Sequence, residues 1–163
     1  MMMANDSTEW EQYRYTQARA WLEHVRDLGE RVQSMQALVD AEYAAIDGVR
    51  AIDPSREGHS SGSTDDAMLE AIERITKHVR EYAALLSEYE DERYDARRHL
   101  ASMPEHAERA ALTYRYLLGW TWESICVELH YSYDGMMKLR RRAIVNAYDV
   151  LPNGWRDRIP RAY

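Results

Sequence analysis

The amino-acid sequence predicts an all-α protein: a long antiparallel helical hairpin of coiled-coil type, followed by a C-terminal module of shorter helices. Three observations lead there. Helix breakers are scarce, with 4 Pro and 7 Gly in 163 residues. No stretch alternates apolar and polar residues over the length of a strand. Apolar residues instead recur at alternating steps of four and three over long distances, which keeps one helical face apolar and sets a coiled-coil seam. A charged fraction of 30% supplies the solvated outer faces such helices need.

The first helix opens among Asp6, Ser7 and Thr8, whose side-chain oxygens suit an N-cap. Its seam runs through Trp21, Val25, Leu28, Val32, Met35 and Val39, then less regularly through Tyr43, Ile46 and Val49. Gly29 and Gly48 each cost about 1 kcal/mol relative to Ala inside a helix, so they mark candidate kinks. Residues 53–63 read as a linker: Pro54, Gly58, Gly62 and four serines break the periodicity.

The second helix starts with Ser63 or Thr64 as its cap, and Asp65 and Asp66 complement the helix dipole. Met68, Ile72, Ile75, Val79, Tyr82, Leu86, Tyr89, Arg93, Ala96 and Leu100 then step regularly by four and three, and only Arg93 is not apolar. At 1.5 Å per residue this helix extends on the order of 50 Å. Tyr82 and Tyr89 lie on the seam and are explained by packing. A two-helix hairpin leaves the flanks of both seams open, so a homodimer through the hairpin is the expectation. Covering by the C-terminal module of the same chain is the alternative.

Charge divides the chain. Residues 1–103 carry 12 Lys/Arg against 21 Asp/Glu, a balance of −9, whereas residues 104–163 carry 9 against 7, a balance of +2. The overall charge of −7 therefore hides a C-terminal part that tolerates an anionic partner. The expected domains are an oligomerisation region at 1–103, including the 53–63 loop, and a second domain at 104–163 with a basic tail.

In that second domain Pro104 suits the first turn of a helix that ends at Gly119. Thr121 caps a short helix from Trp122 to Leu129. Ser132 caps a last helix running to about Val150, and Leu151, Pro152, Asn153 and Gly154 stop it. The tail to Tyr163, with Arg156, Arg158 and Arg161, wraps or frays. A short helix, a tight turn and a longer helix with a polar first turn is the helix-turn-helix plan. Trp122, Ile125, Cys126 and Leu129 form the apolar side of the first helix, and Met136, Leu139, Ala143 and Ile144 that of the second. Both sides meet the preceding Leu112–Tyr116 helix. The outward face then holds Tyr133, Asp134, Met137, Lys138, Arg141 and Arg142, positions that reach base edges and phosphates in such modules. With Thr121, Ser132 and Arg140 these make the candidate DNA-binding residues. Each has a plainer reading: Arg140, Arg141 and Arg142 as a solvated run, and Asp134 as a dipole partner rather than an acceptor for a cytosine amino group. Trp122 reads as core rather than a stacking platform, and Cys126 as a small buried hydrophobe.

The run Tyr114-Arg115-Tyr116-Leu117-Leu118-Gly119-Trp120-Thr121-Trp122-Glu123-Ser124-Ile125, followed by Leu129-His130-Tyr131-Ser132, resembles phage-encoded late-transcription regulators of the RinA/ArpU-like group. Their helix-turn-helix is similar to the fourth region of bacterial sigma factors. The layout of long helices, a Ser/Gly-rich loop and a heptad helix resembles that group over nearly the whole chain, although only Thr121–Ser132 is specific. The resemblance implies a phage or prophage activator of late genes that binds double-stranded DNA near host RNA polymerase. Two positions depart from the pattern. His130 stands where Gly or Asn is usual, and the last helix opens Tyr-Asp-Gly-Met-Met where an Arg-rich start is common.

Other classes find little support. The single cysteine, Cys126, excludes an intrachain disulfide and fits a reducing cytoplasm, which the resemblance implies is that of a bacterial host. The N-terminus leads straight into charged sequence, and the longest apolar run, Tyr82 to Leu86, falls far short of a membrane span. The 6 histidines lack metal-ligand spacing, and His78 with Glu81 reads as a surface pair. No phosphate-binding glycine loop or activated nucleophile is present, so an enzyme, a cofactor or a small-molecule substrate is not expected. Two further readings of the same layout are a small-terminase-like DNA-packaging adaptor and a sigma-like adaptor that binds polymerase without reading DNA.

Overall fold

The computed structural model describes residues 3–50 and 61–159, with side chains described for 7–48 and 65–159. Every regular element among the described residues is helical, in agreement with the all-α expectation. Helix α1 spans Met3–Arg50, α2 Ser61–Ala101, α3 His106–Leu112, α4 Trp122–Leu129 and α5 Tyr133–Ala147. A π-helical turn at Thr113–Leu117 follows α3, and short 3-10 turns lie at Tyr148–Val150 and Asn153–Trp155. None of the described helices is long and apolar enough to cross a membrane.

Several sequence expectations shift. α1 is one helix through both Gly29 and Gly48. α2 begins at Ser61, so the last residues of the expected 53–63 loop, with the expected caps Ser63 and Thr64, already lie within the helix. The earlier part of that loop, the Asp6 side chain, that of Val49, and Arg161 fall outside the described residues. α3 is capped at Glu105, whose backbone is still extended, and Pro104 precedes the helix instead of starting it. Pro104 restricts the residue before it rather than supplying the first turn.

Packing divides the chain into two compact units that do not follow the 103/104 charge boundary. The first takes Met1–Asp27 and Asp91–Tyr163. Its core gathers Ala18, Trp21, Leu22 and Val25 from α1, Ala96 and Leu100 from α2, Leu112 from α3, Ile125 from α4, and Met136, Leu139, Ala143 and Ile144 from α5. Met103, Tyr116 and Leu151 complete it. The tail is pinned as far as Ile159: Gln17, 1% exposed, donates to the Ile159 carbonyl and accepts from its amide at 3.0 Å. Trp155 rests 5.0 Å from the His24 ring, and the Arg158 guanidinium lies 4.1 Å above Trp155.

The second unit, Leu28–Glu90, buries Leu28, Val32, Val39 and Ile75. The expected surface pair of His78 with Glu81 is not formed. His78 Nδ1 instead meets Glu42 at 2.8 Å, Arg74 joins the same carboxylate at 3.3 Å, and Glu81 pairs with Lys77. Gly29 faces the Tyr89 ring so closely that an added Cβ would lie 3.0 Å from its carbons. The glycine is explained by this approach, not by a kink.

Candidate nucleic-acid interface

The local sequence around α4 and α5 specifies its own ends. Gly119 takes φ +73°, a left-handed value that suits glycine and closes the preceding turn. Tyr114 stacks on Trp120 at 4.6 Å, and Arg115 donates to the Trp120 carbonyl at 2.9 Å. Thr121 is extended, and its hydroxyl accepts from the Ser124 amide at 3.2 Å, capping α4. His130 then adopts φ 57°, ψ 40°, and the Tyr131 amide returns to the Cys126 carbonyl at 2.9 Å. Here a histidine serves the left-handed role usually given to glycine or asparagine. Ser132 is extended and accepts from the Gly135 amide at 3.1 Å, capping α5. Thr121 and Ser132 therefore have structural work in the free protein.

The apolar faces fall as the periodicity predicts. Trp122 and Ile125 of α4 are buried, while Cys126 and Leu129 are half-buried against the core. On α5, Met136, Leu139, Ala143 and Ile144 are buried. Tyr133, Asp134, Lys138, Arg141 and Arg142 are exposed, and Met137 is half-buried.

The three arginines have separate surroundings. Arg140 is half-buried with its guanidinium 5.0 Å over the Trp122 ring, and its Nε is buried without a hydrogen-bond partner among the described residues. It belongs more to the packing around Trp122 than to a solvated run. Arg141 Nε lies 3.2 Å from the Glu11 carboxylate, and its guanidinium sits 5.3 Å over the Tyr15 ring. Arg142 Nε donates to Glu108 at 2.6 Å. The second Glu108 oxygen accepts from Asn146 at 2.9 Å, so an acid only 1% exposed joins α3 to α5. The hydrogen bond and charge of Glu108 hold the Arg142 pKa above its ordinary value. Among the described residues Lys138 has no ion pair or hydrogen bond.

Asp134, Met137, Lys138, Arg141 and Arg142 thus share one face, and that face forms one wall of a cleft of about 820 Å³. Ser7, Trp10, Glu11 and Arg14 of α1 supply the opposite wall. Thr121, Ser132, Tyr133 and Arg140 do not line it. The cations at the cleft, Arg14, Lys138, Arg141 and Arg142, outnumber its acids, Glu11 and Asp134. Sequence reasoning missed the α1 wall and the Glu108 anchor. One signal was present: Trp10, Tyr13 and Gln17 continue the α1 stripe upstream of Trp21 by steps of three and four. Nothing local marked Glu108, whose partners lie 34 and 38 residues away. No metal-holding cluster occurs among the described residues.

No protein-family model matches this chain, and no curated protein or solved structure shows significant similarity to it.

Proposed function

We propose that α4 and α5, supported by α3, form a helix-turn-helix module that binds double-stranded DNA, and that the chain is a sequence-specific transcription regulator. The observation that carries this reading is the capped sequence of α4, left-handed His130 and capped α5, with apolar faces inward and a cationic α5 face outward. The resemblance to RinA/ArpU-like regulators narrows the proposal to activation of phage late genes near host RNA polymerase, in the bacterial cytoplasm. The long helices α1 and α2 fit the hairpin expected from their seams. Leu38, Tyr43, Leu69 and Ile72 leave apolar surface exposed in the second unit, which suits a homodimer.

The test is duplex binding across a salt series with a library-selected operator. Binding should weaken steeply with salt, and each lost phosphate contact should reduce the log–log slope by about 0.9. Lys138→Ala with Arg141→Ala should abolish specific binding while helix content and oligomeric state persist. Normal operator binding by that double variant would remove α5 from the interface.

One observation favours a second reading, a sigma-like adaptor that binds polymerase without reading DNA. Arg141 and Arg142 are already engaged by Glu11 and Glu108. Polymerase capture that survives the same double substitution, without duplex binding, would select it.

A further inference from the structure

We infer that the N-terminal part of α1, residues 7–15, is an intramolecular mask over α5 that duplex DNA must displace. The inference rests on the proposed DNA-reading role of α5 and names how that site is regulated.

Four residues of this stretch carry it. Glu11 occupies Arg141 at 3.2 Å, and a carboxylate on a guanidinium makes the same charge-assisted contact as a phosphate oxygen. The Tyr15 ring lies against the same guanidinium at 5.3 Å. Trp10 stacks on Tyr13 at 5.5 Å and meets Tyr148 edge-on at 5.8 Å, fixing the stretch beside the C-terminal end of α5. Arg14 pairs with Asp149 at 2.6 Å.

Geometry makes these contacts exclusive with groove entry. The major groove is about 12 Å wide, room for one helix, and a helix with its side chains is about 10–12 Å across. α1 stands across the cleft from the wall of α5 that holds Asp134, Met137, Lys138, Arg141 and Arg142, and meets it at Arg141. It cannot accompany that wall into the groove. The Glu11–Arg141 pair is half-exposed on both sides and Trp10 is 42% exposed, so the outer contacts lie at a rim where a polyanion can compete for Arg141. Arg14, its side chain 20% exposed, and Tyr15, packed against the core, form the deeper end of the mask. Lys138 remains exposed and available for the first encounter.

The full-length chain and its Trp10→Ala and Glu11→Gln variants are titrated with a mixed-sequence duplex oligonucleotide at low salt. Masking reduces apparent affinity by the fraction of unmasked molecules, so each substitution should tighten binding, by about three- to tenfold for losing one such contact. Trp10→Ala decides the matter because it changes no charge. Duplex should also raise amide hydrogen exchange across residues 7–15 of the parent chain. If all three proteins bind equally while Lys138→Ala weakens each, α5 reads DNA and the mask does not exist. Tightening by Glu11→Gln alone would reduce the effect to net charge and overturn the mask. If neither the parent nor the variants bind duplex, the mask fails together with the DNA-reading role.

Discussion

Glu108 shows how much one side chain can decide without announcing itself. It is an acid 1% exposed, and burying a charge is unfavourable unless its oxygens are hydrogen-bonded. Arg142 and Asn146 satisfy one oxygen each, so part of the cationic face of α5 is committed to holding α3. By contrast the caps of α4 and α5 were legible from sequence, because a cap depends on residues three apart. Thr121→Ala and Ser132→Ala should each lower unfolding stability by about 1 kcal/mol, measured by denaturant titration without DNA. Unchanged stability would free those hydroxyls for a purely ligand-binding role. Tyr116 offers a pH test. Burial raises its phenol above the ordinary value of 10.0, while Arg140 opposes this and Glu23 adds to it. Because the folded value is the higher one, the stabilisation is complete below the unfolded pKa and is lost as pH rises through the folded value. Phenolate absorbance should show a late-titrating step that Tyr116→Phe removes.

At the scale of elements, periodicity placed both ends of α4 and the start of α5, because caps, breakers and the 3.6-residue repeat all act locally, whereas α5 ends at Ala147 and the expected stretch to Val150 finishes as a 3-10 turn. The extents of α1 and α2 were less legible. Gly29 and Gly48 look alike in sequence, yet an added Cβ at Gly29 would meet the Tyr89 ring at 3.0 Å and one at Gly48 would meet nothing within 4 Å. Their substitutions should therefore diverge. Gly48→Ala gains helix propensity and should stabilise by about 0.5–1 kcal/mol. Gly29→Ala gains the same propensity but must displace a packed ring, a strain of about 1–3 kcal/mol, so its net effect should be destabilising. Thermal unfolding of the two variants compares them directly. If both stabilise equally, the Tyr89 ring moves freely and the close approach carries no constraint. The aromatic face that α1 turns toward α5 was the least legible feature, since Glu11 and Arg141 lie 130 residues apart and no local pattern joins them.

For the whole molecule, charge segregation and exposed apolar surface bear on assembly. The balance of −9 over residues 1–103 disfavours contact of that surface with a polyanion. Within the second unit Ile72 is 47% exposed although it lies on the regular seam of α2, and it borders a shallow groove with Thr76, Lys77 and Arg80. In the proposed homodimer, a seam residue left this open in one chain would pack against the second copy. Burying an isoleucine is worth about 1.5–3 kcal/mol, and a two-fold interface uses each such residue twice. Ile72→Glu should therefore weaken self-association by at least about a hundredfold, since each 1.4 kcal/mol is a factor of ten. The substitution falls on an exposed position of a long helix, so circular dichroism should stay unchanged. Light scattering on the parent should give twice the chain mass, and on the variant the mass of one chain. A parent that stays monomeric at high concentration, or a variant that stays dimeric, would move the interface elsewhere and leave the open seam of α2 without its proposed cover.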